Sequence, residues 1–385
     1  MVQQNKQKKV LLVNKFGATS NAITGQTAKE LADFLHAEDC DVCFLCIGAI
    51  YRANNKQGTT KVPYRTMAIR DFYSGDSSFL RLLMSFVDGC RLFIRSLFIK
   101  SDVVIVMTEP PLLFFWFQLF RFLSKRKLFY WTMDVYPDAF AAGGFISERN
   151  LFFRFFKKIV YGKPPDFLIA LGEAQRKYLE RNFRSEVPNA IIPCGIIERE
   201  TVSVPPAKEK PPIVFGYGGN IGAAHDAEFL IEFIRQLDPA KHSIILSLYG
   251  TKAEHVKKIL GDHKAIQYKK FLIQSDIASI DVNLASLLPE WNHVSVPSKA
   301  VTAICCGSTL LLNAPPTADA WQMFAEAGWL VEPESNYSVS VTRFLQQLSS
   351  ETILDKKINA VKIAQSLLQQ KESAYQKVLT AVKQS

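Results

Sequence analysis

The chain has 385 residues, 48% of them hydrophobic and 21% charged, with a net charge of +10. It is longer than one typical core, and this composition excludes a disordered chain, so two globular domains are expected. The basic excess belongs to residues 1–200, with 28 Lys+Arg against 19 Asp+Glu; the remainder holds 18 against 17. An anionic partner is therefore expected for the N-terminal half: a membrane surface, a lipid phosphate or nucleic acid, with a merely solvated basic face as the alternative. Residues 1–9 are polar and basic, so no signal peptide is read. The most apolar run, 110–120 (PPLLFFWFQLF), falls short of the ~20 residues that a membrane span needs. Seven cysteines, an odd number, fit a reducing cytoplasm.

The elements alternate. Residues 9–14 (KVLLVN) read as a buried parallel strand, followed by a loop with Gly17 and Gly25 and a helix over 27–37. Residues 41–47 form the next strand, giving the βαβ opening of a doubly wound sheet. Cys40, Cys43 and Cys46 mimic a CxxCxxC metal site, but within DCDVCFLCIG they read better as strand residues that alternate between faces. A polar loop spans 52–61. Residues 79–99 carry apolar positions at helical spacing, with Arg81, Asp88 and Arg95 seven apart on the other side. A core-facing helix is the ordinary reading of that stretch, and membrane contact the alternative. A strand at 102–107 ends at Thr108-Glu109-Pro110-Pro111, and a strand at 128–132 runs into Met133-Asp134-Val135-Tyr136-Pro137-Asp138. Open α/β sheets place their ligands at such strand ends, which singles out Asp134; a loop or helix cap is its bland alternative.

Residues 145–162 are aromatic and basic together, with Phe152, Phe153, Phe155 and Phe156 beside Arg149, Arg154, Lys157 and Lys158. That pattern suits a helix lying on an anionic bilayer. No DNA- or RNA-binding motif accompanies the charge, so nucleic acid is not expected. Strands follow at 166–171 and 190–193, and residues 198–212, with four prolines, read as the linker. A second βα series then starts with the glycine-rich stretch 214–225 (VFGYGGNIGAAH) and a helix over 226–237. Its glycines let a backbone approach a ligand, and a helix start offers unpaired N–H groups to phosphate. Strands at 243–249, 265–268, 280–285 and 310–312 and helices at 253–260 and 300–306 continue the series; residues 339–385 are helical. The domains are thus 1–197, a linker at 198–212, and 213–385, with the last helix able to pack back on the first domain.

Two Rossmann-like halves joined by a proline-rich linker resemble the GT-B fold of glycosyltransferases, an α/β architecture with the two domains facing across a cleft. Four stretches resemble glycosyltransferase family 4 in its bacterial polysaccharide and lipid-linked glycan branch. They are Thr108-Glu109-Pro110-Pro111, Asp134 to Asp138, Gly218-Gly219-Asn220-Ile221-Gly222 with His225-Asp226, and Val296-Pro297-Ser298-Lys299 leading to Gly307. The resemblance implies a nucleotide-sugar donor on the C-terminal domain and the acceptor on the N-terminal one. Donor contacts then fall on Gly218, Gly219, Asn220, Ile221, Gly222, Ser298, Lys299 and Glu326, with Gly25, Glu109 and Asp138 on the acceptor side. Asp134 and Lys299 are the expected catalytic residues, the lysine meeting charge that builds on the leaving phosphates.

The resemblance further implies a retaining hexosyltransferase-like enzyme without a protein nucleophile, in which the donor phosphate assists acceptor deprotonation. No Asp-x-Asp motif stands where a metal-bound nucleotide would want one, so neither metal nor cofactor is expected. The departures are specific. Val294 and Thr302 occupy the positions of the family's two E-x7-E glutamates, Met133 that of a histidine found in some members, and no basic residue directly follows Gly222. The expected function is transfer from a UDP- or GDP-sugar to a polysaccharide or lipid-linked glycan, in the cytoplasm or at the inner membrane face, with residues 79–99 and 145–162 as the membrane contacts. A degenerate GT-B scaffold and a sugar-nucleotide epimerase are the alternatives.

Overall fold

The computed structural model describes residues 7–48, 61–72, 78–198, 212–334 and 336–385. The polar segment 52–61, apart from Lys61, and the linker 198–212, apart from Glu198 and Pro212, lie outside the described residues. The chain forms two compact units, Met1–Cys194 with Lys371–Ser385, and Gly195–Gln370.

The first unit is built on a seven-stranded parallel sheet in the order β3-β2-β1-β4-β5-β6-β7. Its strands are β1 (Lys9–Val13), β2 (Asp41–Ile47), β3 (Arg65–Ile69), β4 (Val103–Met107), β5 (Lys127–Trp131), β6 (Phe167–Ala170) and β7 (Asn189–Ile191). The central strands β1 and β4 are continuous apolar runs because helices cover both faces. Those helices are α1 (Ile23–Ala37), α2 (Ser78–Leu97), α3 (Leu113–Leu119), α4 (Asp138–Ala142), α5 (Leu151–Val160) and α6 (Glu173–Phe183). The edge strand β3 carries no apolar run, since most of its residues reach solvent, and the hydrophobic pattern did not reveal it. Cys40, Cys43 and Cys46 are buried along β2, and burial pushes the Cys46 thiol up to about 11. Strand order reverses between β1 and β4, the place where an open α/β sheet leaves a crevice at its C-terminal edge.

The second unit holds a six-stranded parallel sheet, β10-β9-β8-β11-β12-β13. These are β8 (Ile213–Asn220), β9 (His242–Tyr249), β10 (Ile266–Tyr268), β11 (Val282–Ser286), β12 (Thr309–Asn313) and β13 (Gly328–Val331). Around it lie α7 (Ala227–Arg235), α8 (Ala253–Leu260), α9 (Gln274–Ser279), α10 (Ser298–Cys305), α11 (Asp319–Phe324) and α12 (Ser338–Gln347); α13 (Ser350–Lys383) follows. The reversal here falls between β8 and β11. The glycine stretch is itself part of a strand: β8 runs through Gly216, Gly218 and Gly219 to Asn220. A Cβ at Gly216 would lie 2.2 Å from Ile280 Cδ1, and one at Gly218 would lie 2.9 Å from Leu272 Cδ1. These two glycines thin the strand so that neighbouring side chains can pack onto it.

Residues from Lys371 onward cluster with the first unit rather than the second. There Lys371 Nζ donates to Glu30 at 3.0 Å, and the Tyr375 ring lies 5.3 Å from that of Phe34.

On the first unit, the surface of α2 differs from a core-facing helix. Asp88, expected on its polar side, is buried and takes a 2.6 Å bond from Arg91. Leu82, Leu83, Val87, Ile94, Leu97 and Phe98 are exposed instead. On α5, Leu151, Phe152 and Phe155 are exposed, whereas Phe153 and Val160 face the core. Among the described residues, no helix is long and apolar enough to cross a membrane.

Candidate functional site

In the second unit, the C-terminal ends of β8, β9 and β11 meet the start of α10. Gly219 has φ +113°, a backbone conformation that only glycine adopts without strain. A Cβ there would sit 3.4 Å from the Tyr249 hydroxyl and 4.0 Å from Lys299 Nζ. Ser298 and Lys299 open α10, so the amine sits where the helix presents unpaired N–H groups. Lys299 Nζ donates to the Tyr217 hydroxyl and to the Asn220 carbonyl, both at 2.8 Å, and lies 4.1 Å from the centre of the Tyr217 ring. None of these partners carries a negative charge. Burial pushes the Lys299 amine down to about 7.

Next to it, His225 is held neutral, its pKa well below the usual value because of burial first and the Lys299 charge second. Its Nδ1 lies 2.6 Å from the Ser286 carbonyl, which can only accept, so Nδ1 carries the hydrogen. Lys252 Nζ donates to the His225 carbonyl at 2.6 Å. Amine donors gathered at a helix start in this way suit a diphosphate.

The structure assigns several expected donor residues to other tasks. Ile221 is fully buried in the core of the unit, and only its backbone borders the site. Gly222 accommodates the Asn220 side chain, 3.1 Å from where its Cβ would stand. Asp226 caps α7, accepting from the Glu228 and Phe229 amides. Glu326 is not brought to this site. It directly precedes β13, at the N-terminal edge of a parallel sheet whose C-terminal edge carries Gly219, and its carbonyl accepts from Asn359. Thr302, at one missing glutamate position, gives its hydroxyl to the Gly195 carbonyl, and Val294 is buried. Tyr217, Tyr249 and Ser286 went unnoticed in the sequence because nothing in their spacing tells which strand residues approach the lysine.

In the first unit the corresponding strand ends are acidic. Glu109 follows β4 and Asp134 follows β5, on adjacent parallel strands. The Thr24 hydroxyl donates to the Glu109 carboxylate at 3.0 Å, and the Lys15 amide to the Glu109 carbonyl at 2.7 Å. Burial pushes the Glu109 carboxyl up to about 7; the Asp134 charge adds to this, while Thr24 and Lys15 oppose it. Thr24 and Lys15 were not anticipated.

Gly25 is helical rather than in a loop. A Cβ there would lie 2.8 Å from the Gly17 carbonyl, so it makes room for the chain after β1 instead of facing a ligand. Asp138, expected on the acceptor side, is buried and engaged by other side chains. It accepts from Lys157 Nζ at 2.9 Å and from the hydroxyls of Tyr161 and Tyr178 at 2.6 Å each. Among the described residues, no group of three or more His, Cys, Asp or Glu could hold a metal ion.

No family model matches the chain. It is 23% identical over 270 residues to the probable glycosyltransferase WbjE of Pseudomonas aeruginosa, an alignment that covers 65% of this chain and 66% of that protein, just under two thirds. Among solved structures, sucrose-phosphate synthase from Thermosynechococcus elongatus superposes with a TM-score of 0.70 at 13% identity, covering 97% of this chain and 100% of that one. WaaG, a glycosyltransferase involved in lipopolysaccharide biosynthesis, gives 0.67 at 14% identity, with 97% and 99% covered. Anabaena HepE in complex with UDP and glucose gives 0.63 at 13%, with 95% and 98% covered. The chain has the GT-B fold that these structures share.

Proposed function

We propose that the chain is a retaining, metal-independent glycosyltransferase. It moves a sugar from a UDP- or GDP-sugar to a polysaccharide or lipid-linked glycan. The observation that carries this reading is Lys299: a part-buried amine at a helix start, beside a positive-φ glycine at the sheet's reversal point, with neutral partners only. Such an amine awaits an anion, and a nucleoside diphosphate leaving group is one whose charge grows during transfer. The UDP bound by HepE, the similarity to the probable glycosyltransferase WbjE, and the part of WaaG in lipopolysaccharide biosynthesis support the donor and acceptor classes. Asp134 and Glu109 form the acceptor side. The exposed apolar residues of α2 and α5, flanked by Arg81, Arg95, Arg154 and Lys158, support seating on an anionic membrane at the cytoplasmic face.

The test is a thermal-shift screen against UDP, GDP, ADP, CMP and their common sugar conjugates. A rise in melting temperature with one nucleotide, lost in Lys299→Ala, is the expected result. No rise with any, from folded protein, would favour the second reading, a degenerate GT-B scaffold. That reading draws on Val294 and Thr302 standing where the family resemblance puts glutamates.

A further inference from the structure

Asp138 is a buried carboxylate of the first unit that takes three side-chain donors and that the proposed chemistry leaves unused. It opens α4, four residues after Asp134, and its three donors come from two other helices. Lys157 and Tyr161 belong to, or directly follow, α5; Tyr178 belongs to α6. Burial pushes both phenols well above the usual value, with the Asp138 charge next in importance, so they remain hydrogen donors at any working pH. The far end of α5 carries the exposed Leu151, Phe152 and Phe155. One buried carboxylate therefore fastens the Asp134 loop to the helix that offers the most aromatic surface to solvent.

We propose that Asp138 is a positioning residue that ties the Asp134 loop to α5, so that seating α5 on a bilayer orders the acceptor side of the site. This rests on the membrane reading above and adds to it a physical route from lipid to Asp134. The route is short and contiguous: apolar face, helix, Lys157 and Tyr161, Asp138, loop. Lipid contact that restrains α5 restrains the α4 turn with it, because Lys157 and Tyr161 hold the Asp138 carboxylate at 2.9 and 2.6 Å.

The structure supplies a matched control. Tyr161→Phe and Tyr178→Phe each delete one hydroxyl donor to the same carboxylate at the same 2.6 Å, and only the first cuts a link to α5. The experiment is hydrogen–deuterium exchange of the full chain with and without vesicles of mixed phosphatidylglycerol and phosphatidylcholine. The reporters are the amides of Ala139, Phe140 and Gly143, bonded to Val135, Pro137 and Ala139. Vesicles are expected to slow their exchange about 2- to 30-fold in the wild type and in Tyr178→Phe, and measurably less in Tyr161→Phe, where Lys157 is the remaining link to α5. Equal behaviour of the two variants, or protection of α5 without protection of residues 139–143, overturns the proposal while leaving the membrane reading intact. If vesicles protect neither α5 nor the turn, the membrane reading falls and this inference falls with it.

Discussion

The two sheets solve one architectural problem with opposite charge. In each, strand order reverses beside the strand that opens the unit, and functional side chains gather at the C-terminal edge next to that reversal. The second unit places an amine there, supported by a phenol and a backbone carbonyl; the first places two carboxyl groups there, supported by a hydroxyl and a lysine. Burial acts on both in opposite directions and leaves both near 7, Lys299 from above and Glu109 from below. Desolvation favours the neutral form whatever its sign. The comparison teaches that the fold fixes where chemistry sits, and that a handful of side chains at strand ends decides whether an anion or a hydroxyl-bearing partner is welcome.

The largest expected effect is on the cationic side. Lys299→Ala removes charge-assisted bonds to a diphosphate, each worth about 1.5–3 kcal/mol, and should weaken nucleotide binding about ten- to a hundredfold by isothermal titration. The same comparison gives a pH dependence. Below about 7 the amine is already charged and donor Kd should be flat. Above it, binding must first draw in a proton, so Kd should rise by up to about tenfold per pH unit, until the pH passes the higher pKa of the bound amine. In Lys299→Met that slope should vanish; a slope that persists would assign it to another group.

On the acidic side the effect is smaller and opposite. A Glu109 carboxyl raised from 4.5 to about 7 keeps its proton in the folded protein after the unfolded chain has lost it. Folding stability should therefore fall as pH rises through that window. Urea melts of wild type and Glu109→Gln between those two pH values should converge at the acid end and separate toward neutral, with the variant more stable there. The smallest effect belongs to Glu326→Gln. Since the residue stands at the opposite edge of the second sheet from Gly219, nucleotide affinity should stay within error of wild type. A tenfold loss would mean that the donor reaches that edge.

Much of the fold was legible in the chain itself. Strands β1, β2, β4 and β5 announce themselves as buried apolar runs, and α8 has its expected bounds, because local hydrophobic periodicity is enough to mark an element. The placement of Glu109, Asp134 and Gly219 at strand ends was legible too, and open α/β sheets gather their ligands at such ends. What periodicity could not give was partnership. Only the folded units show that Asp138 accepts from Lys157, Tyr161 and Tyr178, that Ile221 is core, that Gly25 makes room for a backbone, and that Glu326 lies at the opposite edge from Gly219. The physical reason is separation along the chain. Lys299 meets Tyr217 across 82 residues and Asp138 meets Tyr178 across 40, and contacts of that span depend on how whole elements pack, which no local pattern encodes.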